Sequence, residues 1–265
     1  MKLGFIGCGN MATAMITGMI ANQIVSPEDI LASDASLKAL ETASSKFGIH
    51  TTSNNVEVAT SVDVLVLSIK PQFFETVIKE ISEQISKSTL IISIAAGQSL
   101  KKMESLFERT LKLVRCMPNT PALVSEGITA VCPNDEVTEE EMETVMKLLS
   151  CFGTAEQVPE RLMDAVVAVS GSSPAYVFIL IEAMADAAVA EGMPRDKAYK
   201  FAAQAVLGSA KMVLETGKHP GELKDMVCSP AGTTIEAVRV LEEKGFRSAI
   251  IEAMHACADK SRKLS

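Results

Sequence analysis

Apolar positions along the chain change rhythm once, and the change separates two kinds of element. Short continuous runs come first: Lys2–Ile6, Ile30–Ser33, Val62–Ile69, Thr89–Ile94 and Leu111–Met117, then Ile128–Val131 and Ala155–Val158. A run such as Val64-Leu65-Val66-Leu67 is apolar at successive positions, which suits a strand covered on both faces. Helix-length segments lie between, from about Met11, from Leu37 and over Glu139–Cys151. Strand, helix, strand at this spacing predicts right-handed crossovers and a parallel sheet.

After about Pro159 the strand-like runs stop. Ala- and Met-rich stretches predict helices over Glu160–Val169, Pro174–Glu191, Arg195–Thr216, Pro220–Val227 and Thr233–Leu264. Ala183–Ala190 and Ala202–Ala210 are apolar or small on most faces, so burial on more than one side is expected, and with it a helical dimer interface. Ala175–Ala190 is the most apolar long segment, but Glu182 and Asp186 interrupt it, and a membrane span needs about 20 mostly apolar residues. It is expected to be buried by protein, with no membrane partner.

Gly7-Cys8-Gly9-Asn10-Met11-Ala12 joins the first strand to the first helix and matches G-x-G-x-x-G/A. The first glycine makes the turn, the second lets backbone approach a pyrophosphate, and the small Ala12 allows close helix–strand packing. The helix N-terminus attracts the phosphates. The expected fold is therefore α/β, with a Rossmann-like parallel-sheet domain over 1–159 that binds a dinucleotide, followed by an all-helical dimerisation and substrate domain over 160–265. The second strand runs into Asp34-Ala35-Ser36-Leu37-Lys38. Asp34 offers an acceptor to a ribose 2′-hydroxyl, favouring NADH, whereas Ser33, Ser36 and Lys38 offer a cradle for the 2′-phosphate of NADPH.

A net charge of −8 and a pI near 5.1 argue against a nucleic-acid partner. The six cysteines are scattered without a C-x-x-C pair, so reduced thiols and no metal site are expected. Met1–Gly7 enters a strand directly, without a signal-peptide pattern, and the expected location is the cytoplasm. The 14 methionines suit core packing. His50, His219 and His255 stand in no recognisable general-acid setting.

Several segments carry a resemblance to the pyrroline-5-carboxylate reductase family: Ser68-Ile69-Lys70-Pro71, Ser93–Gly97, Met117-Pro118-Asn119-Thr120-Pro121, Gly171–Tyr176 and, most specifically, Leu223–Ile235 with its Ser229-Pro230-Ala231-Gly232-Thr233-Thr234 core. They follow the family order along essentially the whole chain. The resemblance implies NAD(P)H-dependent reduction of the cyclic imine 1-pyrroline-5-carboxylate to proline, the final step of proline biosynthesis. NADPH is the usual cofactor of that family, and NADH is often tolerated. It places the cofactor on Ile6, Gly7, Cys8, Gly9, Asn10, Met11, Asp34, Ala35, Ser36, Asn55, Ser68, Ile69, Lys70, Pro71, Ile94, Ala95 and Ala96. It also implies a homodimer that joins one subunit's cofactor domain to another's final helices, with dimers stacked into decamers in relatives.

Reducing an imine requires a hydride donor, a grip on the substrate carboxylate and a polarised ring nitrogen. Ser229 is a natural N-cap with Pro230 at the first helical position, so this segment is expected to open the last helix and present free N–H groups to a carboxylate. By resemblance, Thr234 is the catalytic residue that hydrogen-bonds the ring nitrogen, Ser229, Gly232 and Thr233 hold the carboxylate, and Glu160 falls at a substrate-side position. A β-hydroxyacid dehydrogenase would share the architecture but needs a lysine after the interdomain glycine motif, and residues 171–192 contain none. A dinucleotide-sensing module would need no second anion site, against which Ser229–Thr234 argues.

Overall fold

The structure, a computed structural model, describes residues 1–264. β1 (Leu3–Ile6) leads into α1 (Asn10–Ala21), β2 (Ile30–Ser33) into α2 (Leu37–Phe47), and β3 (His50–Thr52) into α3 (Asn55–Ser61). β4 (Val64–Leu67), α4 (Pro71–Ile81), β5 (Leu90–Ser93) and α5 (Leu100–Phe107) follow, then β6 (Lys112–Met117), β7 (Gly127–Pro133), α6 (Glu139–Leu149) and β8 (Gly153–Gln157). The remainder is helical: α7 (Met163–Val166), α8 (Ser173–Ala190), α9 (Arg195–Thr216), α10 (Pro220–Val227), α11 (Thr233–Glu243) and α12 (Phe246–Arg262).

The strands form one sheet in the order β3-β2-β1-β4-β5-β6-β7-β8. The first six are parallel, as their apolar runs and intervening helices predict. β7 reverses and pairs antiparallel with β6, because only a short turn through Thr120–Val124 joins them and a parallel return needs a longer crossover. β8 then pairs parallel to β7 across α6. Successive residues of each central strand feed opposite faces. Phe5, Val66, Ile92 and Val114 pack with Met15, Ile16 and Met19 of α1 and Val145 and Leu148 of α6. Leu65, Leu67, Ile91 and Leu113 pack with Val58 of α3, Phe74 and Ile78 of α4, and Met103 and Phe107 of α5.

Helix starts follow local chemistry. Ser36 caps α2, Asn54 caps α3 and Ser99 caps α5, each accepting from backbone N–H groups, and Thr138 and Glu141 form a reciprocal capping box on α6. Pro71 opens α4 at a position where a missing N–H costs nothing.

The chain divides into two compact units. One comprises residues 1–172 together with the turns of α12 from Cys257, and the other runs from Ser173 to Ala256. In the second, α8 and α9 pack on each other, and Ala185, Ala198 and Ala202 are buried. Phe178, Ile179, Phe201 and Leu214 are instead 63–84% exposed. The residue run 160–190 is by length and composition apolar enough to cross a membrane.

Two expected helices are broken. Over 160–171 the chain forms a 3-10 turn (Glu160–Leu162), α7 and then a π-turn (Val167–Gly171), in place of one helix over 160–169. The Asn119 amide donates to the Ser170 carbonyl at 3.1 Å and accepts from Ile128 N–H at 2.9 Å, so β7 and the π-turn are tied through one buried side chain. The expected helix over 233–264 is divided at Lys244–Gly245, where Gly245 adopts φ +74.

Candidate active site

β1 ends at Ile6 in register with Ser33 of β2 on one side and Leu67 of β4 on the other, and Leu67 in turn faces Ser93 of β5. The strand order reverses between β1 and β4, and in an open α/β sheet the crevice at that reversal, outside the strands' carboxyl ends, is where ligands bind. All of the residues expected to hold a cofactor, from Ile6 to Ala96, lie on this one edge.

The two glycines of the loop differ. Gly7 has φ +102, and a Cβ there would collide with the Ser68 carbonyl, while the Ser68 hydroxyl donates to the Gly7 carbonyl at 2.5 Å. Gly9 has nothing within 4 Å of an added Cβ. Behind it, α1 starts without a side-chain cap and without an acidic residue in its first turn, and Ala12 is fully buried against the sheet. Free N–H groups, open space and an uncompensated helix dipole together fit a pyrophosphate.

Asp34 is turned inward. Its carboxylate accepts from Cys8 N–H and from Ser36 N–H, each at 2.8 Å, fastening the end of β2 to the glycine loop. Ser33 is no part of a phosphate cradle, since it is fully buried and its hydroxyl donates to Asn55 Oδ1. Asn55 passes the connection on to Glu80. Ser36 caps α2 through its hydroxyl, and a cavity of about 440 Å³ beside it is lined by Cys8, Thr13, Lys38 and Lys46 among others. Lys70 and Pro71 are exposed at the start of α4, and Ile94 to Ala96 continue from β5.

Burial, with the Asp34 charge second, pushes the Cys8 thiol up to about 12. At pH 8 only about one thiol in ten thousand is then ionised, so Cys8 is expected to resist maleimide over an hour. Rapid labelling of Cys8, read by peptide mass, would show that the loop opens.

Ser229 to Thr234 lie together, but not as a helix opening at Ser229. Gly232 N–H bonds back to the Ser229 carbonyl at 3.0 Å, and Pro230 and Ala231 fill the corners of that turn. Ala231 takes φ +54, a left-handed value costly to a non-glycine residue. A Cβ on Gly232 would collide with the Ser229 hydroxyl. α11 starts only at Thr233, with Gly232 as an N-cap that has no side chain to offer. It is the penultimate helix, not the last. Its first N–H groups and the Ser229, Thr233 and Thr234 hydroxyls are concentrated within six residues.

Glu160 stands at the start of the 3-10 turn that follows β8. Its Oε1 accepts from Leu100 N–H at 2.7 Å and from Arg115 at 2.9 Å, and the Arg115 side chain is only 9% exposed. Arg115 was not singled out from the sequence, and Asn119 only as part of the Met117–Pro121 segment. The one signal was a cation inside the apolar strand Lys112–Met117. Among the described residues no group of three or more His, Cys, Asp or Glu side chains is gathered to hold a metal.

The fold and the glycine-loop edge define a Rossmann-type, nicotinamide-dinucleotide-dependent oxidoreductase. Residues 2–97 match the model of the coenzyme F420-dependent NADP oxidoreductases, and residues 160–264 match that of pyrroline-5-carboxylate reductase dimerisation. A pyrroline-5-carboxylate reductase of Escherichia coli is 54% identical over 264 residues, covering 100% of this chain and 98% of its own. A solved pyrroline-5-carboxylate reductase from Coxiella burnetii superposes with a TM-score of 0.93 at 35% identity, covering 100% and 98% of the two chains. The Plasmodium falciparum enzyme, solved with NADP bound, gives 0.90 at 32% identity, covering 99% and 97%. The chain belongs to the pyrroline-5-carboxylate reductase family.

Proposed function

We propose that the Ser229–Thr234 turn and the start of α11 receive the substrate, while the carboxyl edge of β1, β2, β4 and β5 holds the cofactor. The activity is the NAD(P)H-dependent reduction of 1-pyrroline-5-carboxylate to L-proline, an oxidoreductase reaction on a C=N bond that completes proline biosynthesis. The observation that carries the substrate reading is the α11 start, uncapped by any side chain and preceded by a turn that leaves Gly232 no room for a Cβ.

In this reading Ser229, Gly232 and Thr233 bind the carboxylate through hydroxyl and backbone N–H groups, with the helix dipole adding to the attraction. Thr234 offers its hydroxyl to the ring nitrogen, orienting the C=N bond and polarising it. The bound nicotinamide supplies the hydride to the imine carbon. Gly7 and Gly9 shape the pyrophosphate loop, with Cys8, Asn10 and Met11 beside them. Asp34, Ala35 and Ser36 line the adenosine side, and Ser68 to Pro71 and Ile94 to Ala96 the nicotinamide side.

The helical segment makes the chain a homo-oligomer. We propose that residues 160–265 act as the dimerisation and substrate-binding half after a cofactor-binding half over 1–159. The exposed apolar face of α8 and α9 is then covered by a second subunit, not by lipid, in a cytoplasmic enzyme without a nucleic-acid partner. A homodimer, stacked further into a decamer, is the assembly this implies.

Oxidation of NADPH and NADH, followed at the nicotinamide absorbance with pyrroline-5-carboxylate and with a panel of 2- and 3-keto acids, tests the whole. Activity with the imine alone supports it, and activity with keto acids alone overturns it. NADPH is proposed as the preferred cofactor, because the Cys8 and Ser36 N–H groups that Asp34 accepts from offset most of its charge, leaving only a residual repulsion of a 2′-phosphate. Asp34→Ser removes both the charge and the tether to Cys8. We expect both dinucleotides to bind more weakly and the NADPH/NADH ratio of kcat/KM to rise about tenfold. A flat ratio would mean that residue 34 does not read the 2′ group.

A further inference from the structure

The loop between β5 and α5, residues 94–99, is bonded at its end and approached at its middle by parts of the chain far away in sequence. At its end, Glu160 Oε1 accepts from Leu100 N–H at 2.7 Å while pairing with Arg115 at 2.9 Å. Helix capping alone does not call for this, since Ser99 already caps α5 through Lys102 N–H at 3.2 Å. At its middle, Gly97 adopts φ +70, and a Cβ there would stand 3.0 Å from the Leu264 carbonyl oxygen at the end of α12. The last turns of α12 are themselves anchored: Ser261 donates to Asp164 at 2.6 Å, and Cys257 to Ser172 at 3.2 Å. Asp164 and Glu160 share one short helical segment. The contacts therefore close a ring, from Leu100 to Glu160, from Asp164 to Ser261, and from Leu264 back to Gly97.

The adenosine half of a dinucleotide lies on the β2 side of the glycine loop, so the nicotinamide half falls toward β4 and β5. Ile94, Ala95 and Ala96 are on that side. We infer that Glu160 and the last turn of α12 are positioning residues for the nicotinamide loop, acting through Leu100 and Gly97 rather than by touching substrate. This rests on the cofactor placement proposed above. A buried cation such as Arg115 needs a counter-charge, which fixes Glu160 and with it the start of α5. Within the loop, Ala95 and Gln98 are each 5% exposed.

Calorimetric titration with NADPH and with 2′-phospho-ADP-ribose, which lacks only the nicotinamide, separates loop positioning from general damage. Gly97→Ala and Glu160→Ala are each expected to weaken NADPH about tenfold and the truncated ligand less than about twofold, since misplacement should be felt only at the nicotinamide end. Glu160→Gln keeps an acceptor for Leu100 N–H but not the counter-charge to Arg115, and should recover only part of the loss. Parallel weakening of both ligands, or unchanged NADPH affinity, overturns the inference. Should either alanine variant fail to fold, Ser261→Ala, which unfastens α12 without touching the loop, is read by the same two ligands. Wild-type protein that binds the two ligands equally would overturn the cofactor placement itself, so the two failures are distinguishable.

Discussion

Thr234→Ala is expected to lower kcat and kcat/KM for the imine together, on the order of 10²-fold, while the Kd for NADPH stays within about twofold. The hydroxyl is the only group removed, and its proposed partner is the reacting nitrogen, so the loss falls on the transition state and not on cofactor binding. Thr233 cannot stand in for it, because adjacent helical residues point about 100° apart. Thr234→Ser retains the hydroxyl and should recover most of the rate. The α11 start is exposed to partly exposed, so truncating this side chain leaves no cavity to confuse the reading. Steady-state kinetics on the three proteins decide the matter, and unchanged turnover in the alanine variant would remove Thr234 from the mechanism.

Gly7→Ala should cost about 4 kcal/mol of stability, the sum of backbone strain and overpacking at a site that cannot relax. The new methyl would be driven into the Ser68 carbonyl, and Ser68 is fixed by its own N–H to the Ile6 carbonyl at 2.9 Å and its hydroxyl to Gly7. Both directly follow the two central strands, each with a neighbouring strand on either side, so neither can step away. Gly9→Ala makes the opposite case: its Cβ enters open space, so stability should change by less than about 1 kcal/mol. Dinucleotide affinity should nonetheless fall at least about tenfold, because the methyl occupies the approach to the pyrophosphate. Thermal melts with and without NADPH separate the two. A Gly7→Ala protein that melts with the wild type would show that β1 and β4 yield more readily than their burial implies.

The parts of this fold legible in the sequence are those specified locally. The glycine loop announced itself because Gly7, Gly9 and Ala12 follow a strand and open a helix, and α9 and α10 fall on the predicted bounds because Pro194, Gly217 and Pro220 punctuate them. The reversal of β7 was not legible, since an apolar run has the same composition in either direction. Nor was the π-turn at 167–171, which depends on the Asn119 amide arriving from β6. The Ser229-Pro230 pair is compatible both with a helix start and with a turn, and only Ala231 in a left-handed conformation tells them apart. For Glu160 the resemblance offered a substrate-side position, and its pairing with the buried Arg115 depends on a strand 45 residues away. Gly245 inside the Glu-Glu-Lys-Gly-Phe run was a stop signal available in the sequence that the periodicity overrode.

The return of α12 to the first compact unit has a consequence for biosynthesis. The sheet of that unit is assembled from residues translated early, yet Gly97 lies against Leu264 and Asp164 accepts from Ser261, both of which are made after all of α8 to α11. A ribosome-bound chain can therefore pair β1 to β8 while the loop after β5 still lacks its cover. Cofactor competence should arrive late, once α12 has been made, as a docking step separable in time from sheet formation.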